Sequence, residues 1–410
     1  MTQPYERQSD ILKLVERLDI SPSMYKNAED KYHALADFLE KCGIEADIYP
    51  QGSFALGTVV RPSAKDPNAA YDLDFICLVK QTRDEIAPSK LRQNIQDALE
   101  SDERYKKRLE VCDECFTIKY ADLGDISFSI DVVPATNESL ARKRELSGKC
   151  VRPDLLGTAI AIPRHNGERN YDWITNNPKG FRTWFEEING PFHAFNRDKR
   201  RRDFFIANTQ IYASVDEIPE GLERSAMQRV IQILKYHRDV YYLKLPHKDH
   251  DDLKPISAII NTLVADISKS ANPEFGVFEL LKFVLDELSI YAQHQTLTTD
   301  EFVRQFGTRS AVKKDKNSGR WVIQNPANPE DNLADKWNEN PEIPKFFFKW
   351  IEACASDLIE SMTVLDDKFR TRMENAFGSI AIQNIWGDKY KSANHPAPKP
   401  ITTNPKPYRA

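Results

Sequence analysis

The sequence predicts a two-lobed α/β (α+β) protein, in which a small mixed sheet with helices precedes a helical domain. In the N-terminal half, helix-like and strand-like segments follow in the order helix–strand–turn–strand–helix–strand–strand. From about residue 224 onward, apolar residues recur at helical spacing. The chain has 410 residues, enough for two domains of ordinary size. We place a core domain with N-terminal helices at 1–215, a helical domain at 216–390 and a flexible tail at 391–410.

The composition is that of a soluble globular protein, with 40% hydrophobic and 29% charged residues. A net charge of −5 argues against a broadly basic surface that coats nucleic acid, although a local basic groove stays open. No apolar run approaches the roughly 18 residues of a transmembrane helix, and the polar N-terminus is unlike a signal peptide. Together with six scattered cysteines, this predicts a cytoplasmic protein with reduced thiols and no membrane partner.

Caps and apolar spacing predict the elements of the N-terminal lobe. Ser21 and Pro22 begin a helix that ends near Gly43, because serine is a good cap and proline suits the first turn. The other predicted elements are a strand around Ile48, a strand over 72–79, a surface helix over 83–99, and strands over 115–120 and 126–133.

The C-terminal lobe is predicted to be helical throughout. One helix has an apolar face formed by Met227, Val230, Ile231 and Leu234. The next opens with Pro255 in its first turn, and its apolar face comprises Ile256, Ile259, Ile260, Leu263 and Ile267. Helices over 278–292 and 346–377 follow, with a polar connection over 308–344 between them. The last twenty residues carry five prolines and no acid, which predicts an extended, flexible tail.

A pair of acids within an apolar run is the most informative motif. Asp72 and Asp74 stand one residue apart, so alternation along a strand places both carboxylates on one face. Leu73 and Phe75 then point into a core. Two acids on one side of a strand are suited to bind Mg²⁺.

A Gly-Ser turn precedes these acids by about twenty residues. Gly52 permits close approach of the backbone to phosphates, and Ser53 offers a hydroxyl and an amide. The turn and the acids together predict a site for a metal-bound nucleoside triphosphate, and hence nucleotidyl transfer.

A third acid, Asp131, lies in the strand-like run 128–134. A buried carboxylate without a partner would be costly there, so a functional role is expected. If its strand neighbours that of Asp72 and Asp74, the three carboxylates converge. Such a centre would carry two metal ions.

Three runs resemble the polymerase-β-like nucleotidyltransferase superfamily: G-S-x₃-G-T from Gly52, D-L-D-F from Asp72 and S-I-D-V-V-P-A from Ser129. The sequence is most similar to the bacterial cyclic-oligonucleotide synthases (CD-NTases), relatives of animal cyclic GMP–AMP synthase and oligoadenylate synthase. Residues 229–239 with 254–257 resemble the first helical pair of that family. Residues 325–332 with Trp337 are similar to a segment shared with oligoadenylate synthases. The resemblance spans roughly 51–337.

The resemblance implies roles for individual residues. Asp72, Asp74 and Asp131 would be the catalytic acids and would hold the metals. Gly52 and Ser53 would bind the donor triphosphate, and Lys235 and Ser257 match the lysine and serine that the family directs at the donor phosphates. From the residues alone, Lys235 could instead be a surface lysine, and Ser257 could serve only the N-terminus of its helix.

The resemblance also implies an activity. Two Mg²⁺ or Mn²⁺ ions would support condensation of nucleoside triphosphates, ATP among them, into a cyclic di- or trinucleotide with release of pyrophosphate. The product would activate an effector in an anti-phage (CBASS) system. Two alternatives stay open: a template-independent transferase that makes linear oligoadenylate or modifies RNA or protein, and a catalytically silent nucleotide-binding module. The zinc insertion of the animal DNA sensor is not found, so activation by DNA is not expected.

Other motifs receive a structural interpretation. The C-x-x-C formed by Cys112 and Cys115 lacks a second pair or a nearby His, so packing is expected rather than a metal site. Residues 247–252 are expected to form a solvated loop, and the basic run 199–202 a solvated turn. The tail ends at Ala410 and resembles the C-terminus that a ubiquitin-transfer-like enzyme conjugates in many operons of the family; an undirected disordered end is the alternative.

Overall fold

The computed structural model describes residues 2–61, 70–120, 127–167, 170–207, 223–246, 252–308 and 310–391; for residues 70–72, 127 and 196–207 it describes the backbone alone. The predictions for residues 247–251 and for the tail from 392 to Ala410 therefore lie outside the described residues.

Two long helices precede the sheet lobe: α1 (Pro4–Leu18) and α2 (Pro22–Lys41). Ser21 caps α2 by accepting a hydrogen bond from the amide of Met24, as the sequence predicts. The strands are β1 (Ala46–Pro50), β2 (Ala70–Thr82), β3 (Leu109–Val111), β4 (Phe116–Tyr120), β5 (Ser127–Asn137), β6 (Ile160–His165) and β7 (Tyr171–Asn176). The helices between them are α3 (Gly52–Ala55), α4 (Pro88–Glu100), α5 (Glu103–Lys106) and α6 (Leu140–Ser147).

Within the described residues the strands form one seven-stranded mixed sheet, with β1-β2-β5-β4-β3 in order and β6 and β7 continuing from β5. The β2–β5 pair is parallel, and every other pair of this sheet is antiparallel. A mixed sheet next to helices confirms the predicted fold class. Strands β2 and β5 are neighbours, which is the arrangement that the convergence of Asp72, Asp74 and Asp131 requires.

The two faces of the sheet have different neighbours. Leu73, Phe75, Ile130 and Val132 belong to the core beneath α2 and α4. Residues one position away point to the opposite face, where Ile76, Leu78, Val133 and Ala135 form a smaller core with β6. Asp74 and Asp131 lie on that second face, at the end where its apolar core stops.

The second lobe is helical. Its helices are α7 (Pro178–Ala207), α8 (Ala226–Tyr242), α9 (Ser257–Ser268), α10 (Val277–Tyr291), α11 (Thr299–Phe306), α12 (Asp335–Glu339), α13 (Glu342–Leu358), α14 (Asp366–Phe377) and α15 (Ser379–Trp386). A short hairpin of β8 (Lys313–Lys314) and β9 (Trp321–Val322) lies between α11 and α12. Helix α8 is buried on nearly all sides and starts with a capping box formed by Ser225 and Gln228.

Helix α1 packs into the helical lobe although it is far from it in sequence. Ile11, Leu14 and Val15 belong to the same core as α8. The guanidinium of Arg7 is buried and donates to the carbonyls of Ser361 and Met362, at 2.9 and 3.0 Å. The boundary near residue 215 stays a prediction, but the first helix shares its core with the second lobe.

The segment 325–332 holds the two lobes together. Asn328 Nδ2 donates to the carbonyl of Thr175 in β7 at 2.9 Å, and Asn177 Nδ2 donates to the carbonyl of Ala327 at 2.9 Å. Within the segment, Asn325 Nδ2 donates to Asp331 Oδ2 at 2.8 Å. Side-chain amides thus satisfy the backbone of a proline-containing loop that forms few ladder bonds of its own.

Several predicted elements are wrong in detail. The segment 346–377 is two helices with a break over 359–365, because a 3-10 turn at Glu360–Thr363 interrupts the α pattern. Pro255 precedes the cap of α9 instead of entering its first turn, and Ile256 is half exposed at the cap position. The basic run 199–202 continues α7 as helix and is no turn. Helix α4 starts only at Pro88.

No helix among the described residues is both long enough and apolar enough to cross a membrane. All six cysteines are free thiols. Cys77 and Cys354 are buried, and Cys112 and Cys115 are partly buried beside Thr117, consistent with the predicted packing role.

Candidate active site

The Gly-Ser motif forms a single helical turn directly after β1. The amide of Gln51 donates to the carbonyl of Asp74 at 2.8 Å, which ties the start of the turn to β2. Gly52 has φ of +62°, a left-handed conformation that favours glycine. A Cβ atom on Gly52 would lie 2.2 Å from Oδ2 of Asp74. Glycine is therefore required here for its backbone angle and for its close contact with an acid of the neighbouring strand.

Two of the three predicted acids face each other across parallel strands. In the register of β2 and β5, Asp74 pairs with Asp131 and Asp72 pairs with Ser129. Paired residues on neighbouring strands lie about 4.8 Å apart and point to the same side of the sheet. The side chains of Asp74 and Asp131 are both partly exposed. The backbone of Asp72 lies two residues before Asp74 on the same strand; its side chain is outside the description.

Thr117 on β4 orients the third acid. It is the register partner of Asp131, and its hydroxyl donates to Asp131 Oδ1 at 2.6 Å. The sulfurs of Cys112 and Cys115 lie 3.6 and 3.9 Å from the same hydroxyl oxygen. Burial, with the nearby charge of Asp131, raises the pKa of Cys115 to about 12, so this thiol stays protonated.

Thr117→Val is expected to lower kcat roughly tenfold, because it removes a hydrogen bond to a charged oxygen while keeping the shape of the side chain. Thr117→Ser keeps the hydroxyl and should restore most of the rate. Initial rates at several Mg²⁺ concentrations measure this effect. Equal rates for the valine and serine variants would show that the hydroxyl does not position Asp131.

Lys235 of α8 reaches the Gly-Ser motif from the other lobe. Its ammonium donates to Ser53 Oγ at 2.7 Å and to the carbonyl and hydroxyl of Thr58 at 3.0 and 3.2 Å. The side chain is 1% exposed, so the alternative of a surface lysine is wrong. Burial, with the nearby charge of Arg238, lowers the pKa of Lys235 to about 7, and Asp239 and Asp74 partly offset this.

Ser257 is the first residue of α9 and lies beside α8. Its hydroxyl accepts a hydrogen bond from Arg238 Nη1 at 3.1 Å, and the same nitrogen donates to the carbonyl of Pro255 at 3.1 Å. Arg238 Nε in turn donates to Asp239 Oδ1 at 2.8 Å. Arg238 therefore links Ser257 to the helix that carries Lys235, one turn further along.

The residues at this centre fit a hard divalent cation. Mg²⁺ and Mn²⁺ prefer oxygen ligands, and Asp74 and Asp131 offer two carboxylates at one register position. Among the residues with described side chains, no cluster of three or more His, Cys, Asp or Glu forms a complete cation site. Asp72, two residues before Asp74 on β2, is the residue that we expect to complete one.

Comparison with known proteins is in keeping with this geometry. Residues 6–145 match the family of the Second Messenger Oligonucleotide or Dinucleotide Synthetase domain. A c-di-GMP synthase from Roseivirga ehrenbergii is 24% identical over 354 residues, which are 84% of this chain and 76% of the relative. The CD-NTase CdnG from Bradyrhizobium diazoefficiens, solved in complex with GTP, has a TM-score of 0.63 at 17% identity and covers 93% of this chain and 98% of its own. Part of the chain thus matches a synthetase domain family, and nearly all of it shares the fold of a CD-NTase.

A more distant structure shares part of the chain. The cyclic AMP-GMP synthase DncV from Vibrio cholerae has a TM-score of 0.49 at 14% identity, with 82% of this chain and 69% of that chain covered.

Sequence reasoning missed several residues that contact the predicted site residues or the loop after the Gly-Ser motif. Thr117 faces Asp131 because β4 pairs with β5. The sequence predicts both strands but not their pairing, so it does not identify this contact. Arg238 follows Lys235 by three residues, a spacing that places both on one side of a helix. Gln228 and Gln232 contact backbone carbonyls, and such contacts leave no motif in the sequence.

Proposed function

We propose that this protein is a CD-NTase, a metal-dependent nucleotidyltransferase that condenses nucleoside triphosphates into a cyclic di- or trinucleotide and releases pyrophosphate. The observation that carries the proposal is the meeting of Asp74 and Asp131 in register beside Gly52, with buried Lys235 bonded to Ser53. Acids for metal ions and a cation for phosphates thus lie on elements that meet at the Gly-Ser motif. The similar proteins include a c-di-GMP synthase and a CD-NTase solved with GTP, which supports nucleoside triphosphates as substrates.

Each group has a role in the proposed reaction. Asp72, Asp74 and Asp131 would hold Mg²⁺ or Mn²⁺, which when bound activates the attacking ribose hydroxyl and stabilises the pyrophosphate leaving group. Ser53 and Lys235 would bind the donor triphosphate, with the ammonium exchanging its bonds to Ser53 and Thr58 for phosphate oxygens. Ser257 would add a hydroxyl at the donor phosphates, steered by Arg238. Thr117 would keep Asp131 in a fixed orientation.

Incubation of the purified protein with the four nucleoside triphosphates and Mg²⁺ or Mn²⁺ tests this reaction. We expect release of pyrophosphate and a product that resists phosphatase, because a ring has no terminal phosphate. An Asp72→Ala/Asp74→Ala variant should release none. A phosphatase-sensitive product would favour the linear oligoadenylate alternative, and metal-dependent binding without turnover would favour a silent binding module.

A cyclic product would act as a signal, and we place that signal in cytoplasmic anti-phage defence, upstream of an effector that binds the cyclic nucleotide. Mass spectrometry of small molecules from cells that express this protein, before and after phage infection, tests this role. Accumulation only after infection is the expected result; equal amounts in uninfected cells would contradict it. Conjugation of the tail at Ala410 stays a prediction from the resemblance.

The low pKa of Lys235 predicts proton uptake on binding of nucleotide. In the free protein this lysine loses its charge as pH rises through about 7, whereas a bound triphosphate favours the ammonium. Affinity for a nonhydrolysable ATP analogue should therefore fall by up to about tenfold per pH unit above pH 7. Titration calorimetry in two buffers of different ionisation enthalpy measures the protons taken up.

Lys235→Met should lose this proton uptake and bind the analogue more weakly at pH 7. Lys244→Met is the matched control, because Lys244 is exposed just beyond the end of the same helix, where its ammonium donates to the carbonyl and the side-chain oxygen of Asn375. Equal pH dependence in the parent protein and Lys235→Met would show that Lys235 does not meet the phosphates as a titrating cation.

A further inference from the structure

One face of α8 holds the loop that follows the Gly-Ser motif. Gln228, Gln232 and Lys235 are spaced four and three residues apart, so they lie on one side of the helix. Gln228 Nε2 donates to the carbonyl of Leu56 at 2.9 Å, and Gln232 Nε2 donates to that of Val59 at 2.8 Å. With the bond from Lys235 to the carbonyl of Thr58, three of the four carbonyls from residue 56 to residue 59 accept from α8.

Each glutamine is oriented by a second bond on the helix side. Gln228 Oε1 accepts from the amide of Ser225 at 2.8 Å as part of the capping box. Gln232 Oε1 accepts from Arg229 Nη1 at 2.8 Å, and the same nitrogen donates to Asp19 Oδ2 at 2.9 Å. Both amides are therefore held at their oxygen ends and present their nitrogens to the loop. Both side chains are buried, Gln228 at 8% and Gln232 at 1% exposure.

The loop lies so close to α8 that Gly57 leaves no room for a side chain. Gly57 has φ of +64°, and a Cβ there would lie 2.5 Å from Gln228 Nε2 and 2.9 Å from Arg224 Nη1. The loop also bonds back to the motif, because the amide of Thr58 donates to the carbonyl of Ser53 at 2.9 Å. The position of Ser53 is thus coupled through the loop to a rigid helix of the other lobe.

We propose that Gln228 and Gln232 are positioning residues, which hold the loop 56–59 so that Gly52 and Ser53 are placed to receive a triphosphate. They act through the loop backbone and do not touch the substrate. The buried Asp19–Arg229 pair extends this support to the end of α1. The kinetic part of this inference rests on the proposed function; the structural part does not.

Gln228→Glu and Gln232→Glu test the donating N–H of each amide apart from its accepting oxygen. A glutamate keeps the oxygen that accepts from Ser225 or Arg229, and the S-x-x-E pattern still forms a capping box. It loses the N–H that donates to the loop. Gln228→Met and Gln232→Met remove the donor without adding a charge, in case a buried carboxylate disturbs folding. Gln295→Glu is the matched control, since Gln295 Nε2 also donates to a backbone carbonyl, that of Ala292 at 3.4 Å, in the short 3-10 turn that follows α10.

Two measurements test the inference. Hydrogen–deuterium exchange should be about tenfold faster for amides of residues 54–61 in the Gln228 and Gln232 variants, as expected when one hydrogen bond is lost, and unchanged in α13. KM for the nucleoside triphosphate should rise about tenfold while kcat changes less. The Gln295 variant should match the parent protein in both.

The possible outcomes are distinct. Unchanged exchange in the loop overturns the inference whatever the activity. Faster loop exchange with an unaltered KM in an active enzyme also overturns it. A fall in kcat at constant KM, in proportion to the fraction of protein that has unfolded, overturns it too. Faster loop exchange in a protein that turns over no nucleotide supports the role of the glutamines in holding the loop and counts against the proposed function alone.

Discussion

Asp74→Asn is expected to lower kcat/KM by at least about a thousandfold, equivalent to roughly 4 kcal/mol of lost transition-state stabilisation. The amide has nearly the size of the carboxylate, so it fits the space beside Gly52. It removes the negative charge and the ligand oxygen that a divalent cation requires. Because Asp74 and Asp131 face each other in register, their charges repel when no cation is bound. Asp74 also attracts the ammonium of Lys235, which offsets this repulsion, so the variant should melt within a few degrees of the parent protein while losing its activity.

Asp47→Asn is the matched control. Asp47 lies on β1 of the same sheet, is exposed, and pairs with Leu78, four residues along β2 from Asp74. It should keep the parent rate. Thermal melts with and without Mg²⁺ complete the test, since stabilisation by the cation should vanish only in Asp74→Asn. If Asp74→Asn keeps more than about a tenth of the parent activity, Asp74 is not a metal ligand.

The elements that could be predicted from the sequence are those with strong local signals. Helix α2 has a serine cap and a proline in its first turn, and β2 alternates Leu73 and Phe75 with polar neighbours. Packing over long sequence separation had no such signal. Helix α1 joins the helical core through Ile11 and Leu14, and nothing in its own sequence identifies that partner. The break between α13 and α14 was missed because apolar residues continue on both sides of it.

The candidate site likewise contains residues that the sequence identifies and residues that only the structure identifies. The motifs name Gly52, Asp74 and Asp131, because each needs a special residue at a special spacing. The bond from Lys235 to Ser53 joins residues 182 positions apart and depends on how the lobes meet. Thr117 required the strand order, which the sequence leaves open. What the structure adds is therefore the set of residues that support the motif residues from other elements.

Gly52→Ala is expected to lower kcat/KM about a hundredfold, the effect of displacing a catalytic group by about 1 Å. The added methyl would lie 2.2 Å from Asp74 Oδ2 and 3.2 Å from Asp74 Cγ, so either the carboxylate or the loop must move. The left-handed φ of +62° adds a cost of about 1–2 kcal/mol for alanine. The variant should lose both stability and affinity for Mn²⁺ in the presence of a nonhydrolysable nucleotide, measured by thermal melting and calorimetry.

Gly43→Ala separates the effect of the backbone angle from that of the clash with Asp74. Gly43 has a similar φ of +82°, but no atom lies within 4 Å of the added methyl. It should lose stability by a similar amount but keep its activity and its Mn²⁺ affinity. If Gly52→Ala acts by displacing Asp74, it should weaken Mn²⁺ binding in the parent protein and have little further effect in an Asp74→Asn background. Additive losses in that double-mutant cycle would mean that Gly52 serves the phosphates alone, and that the contact with Asp74 has no part in holding the metal.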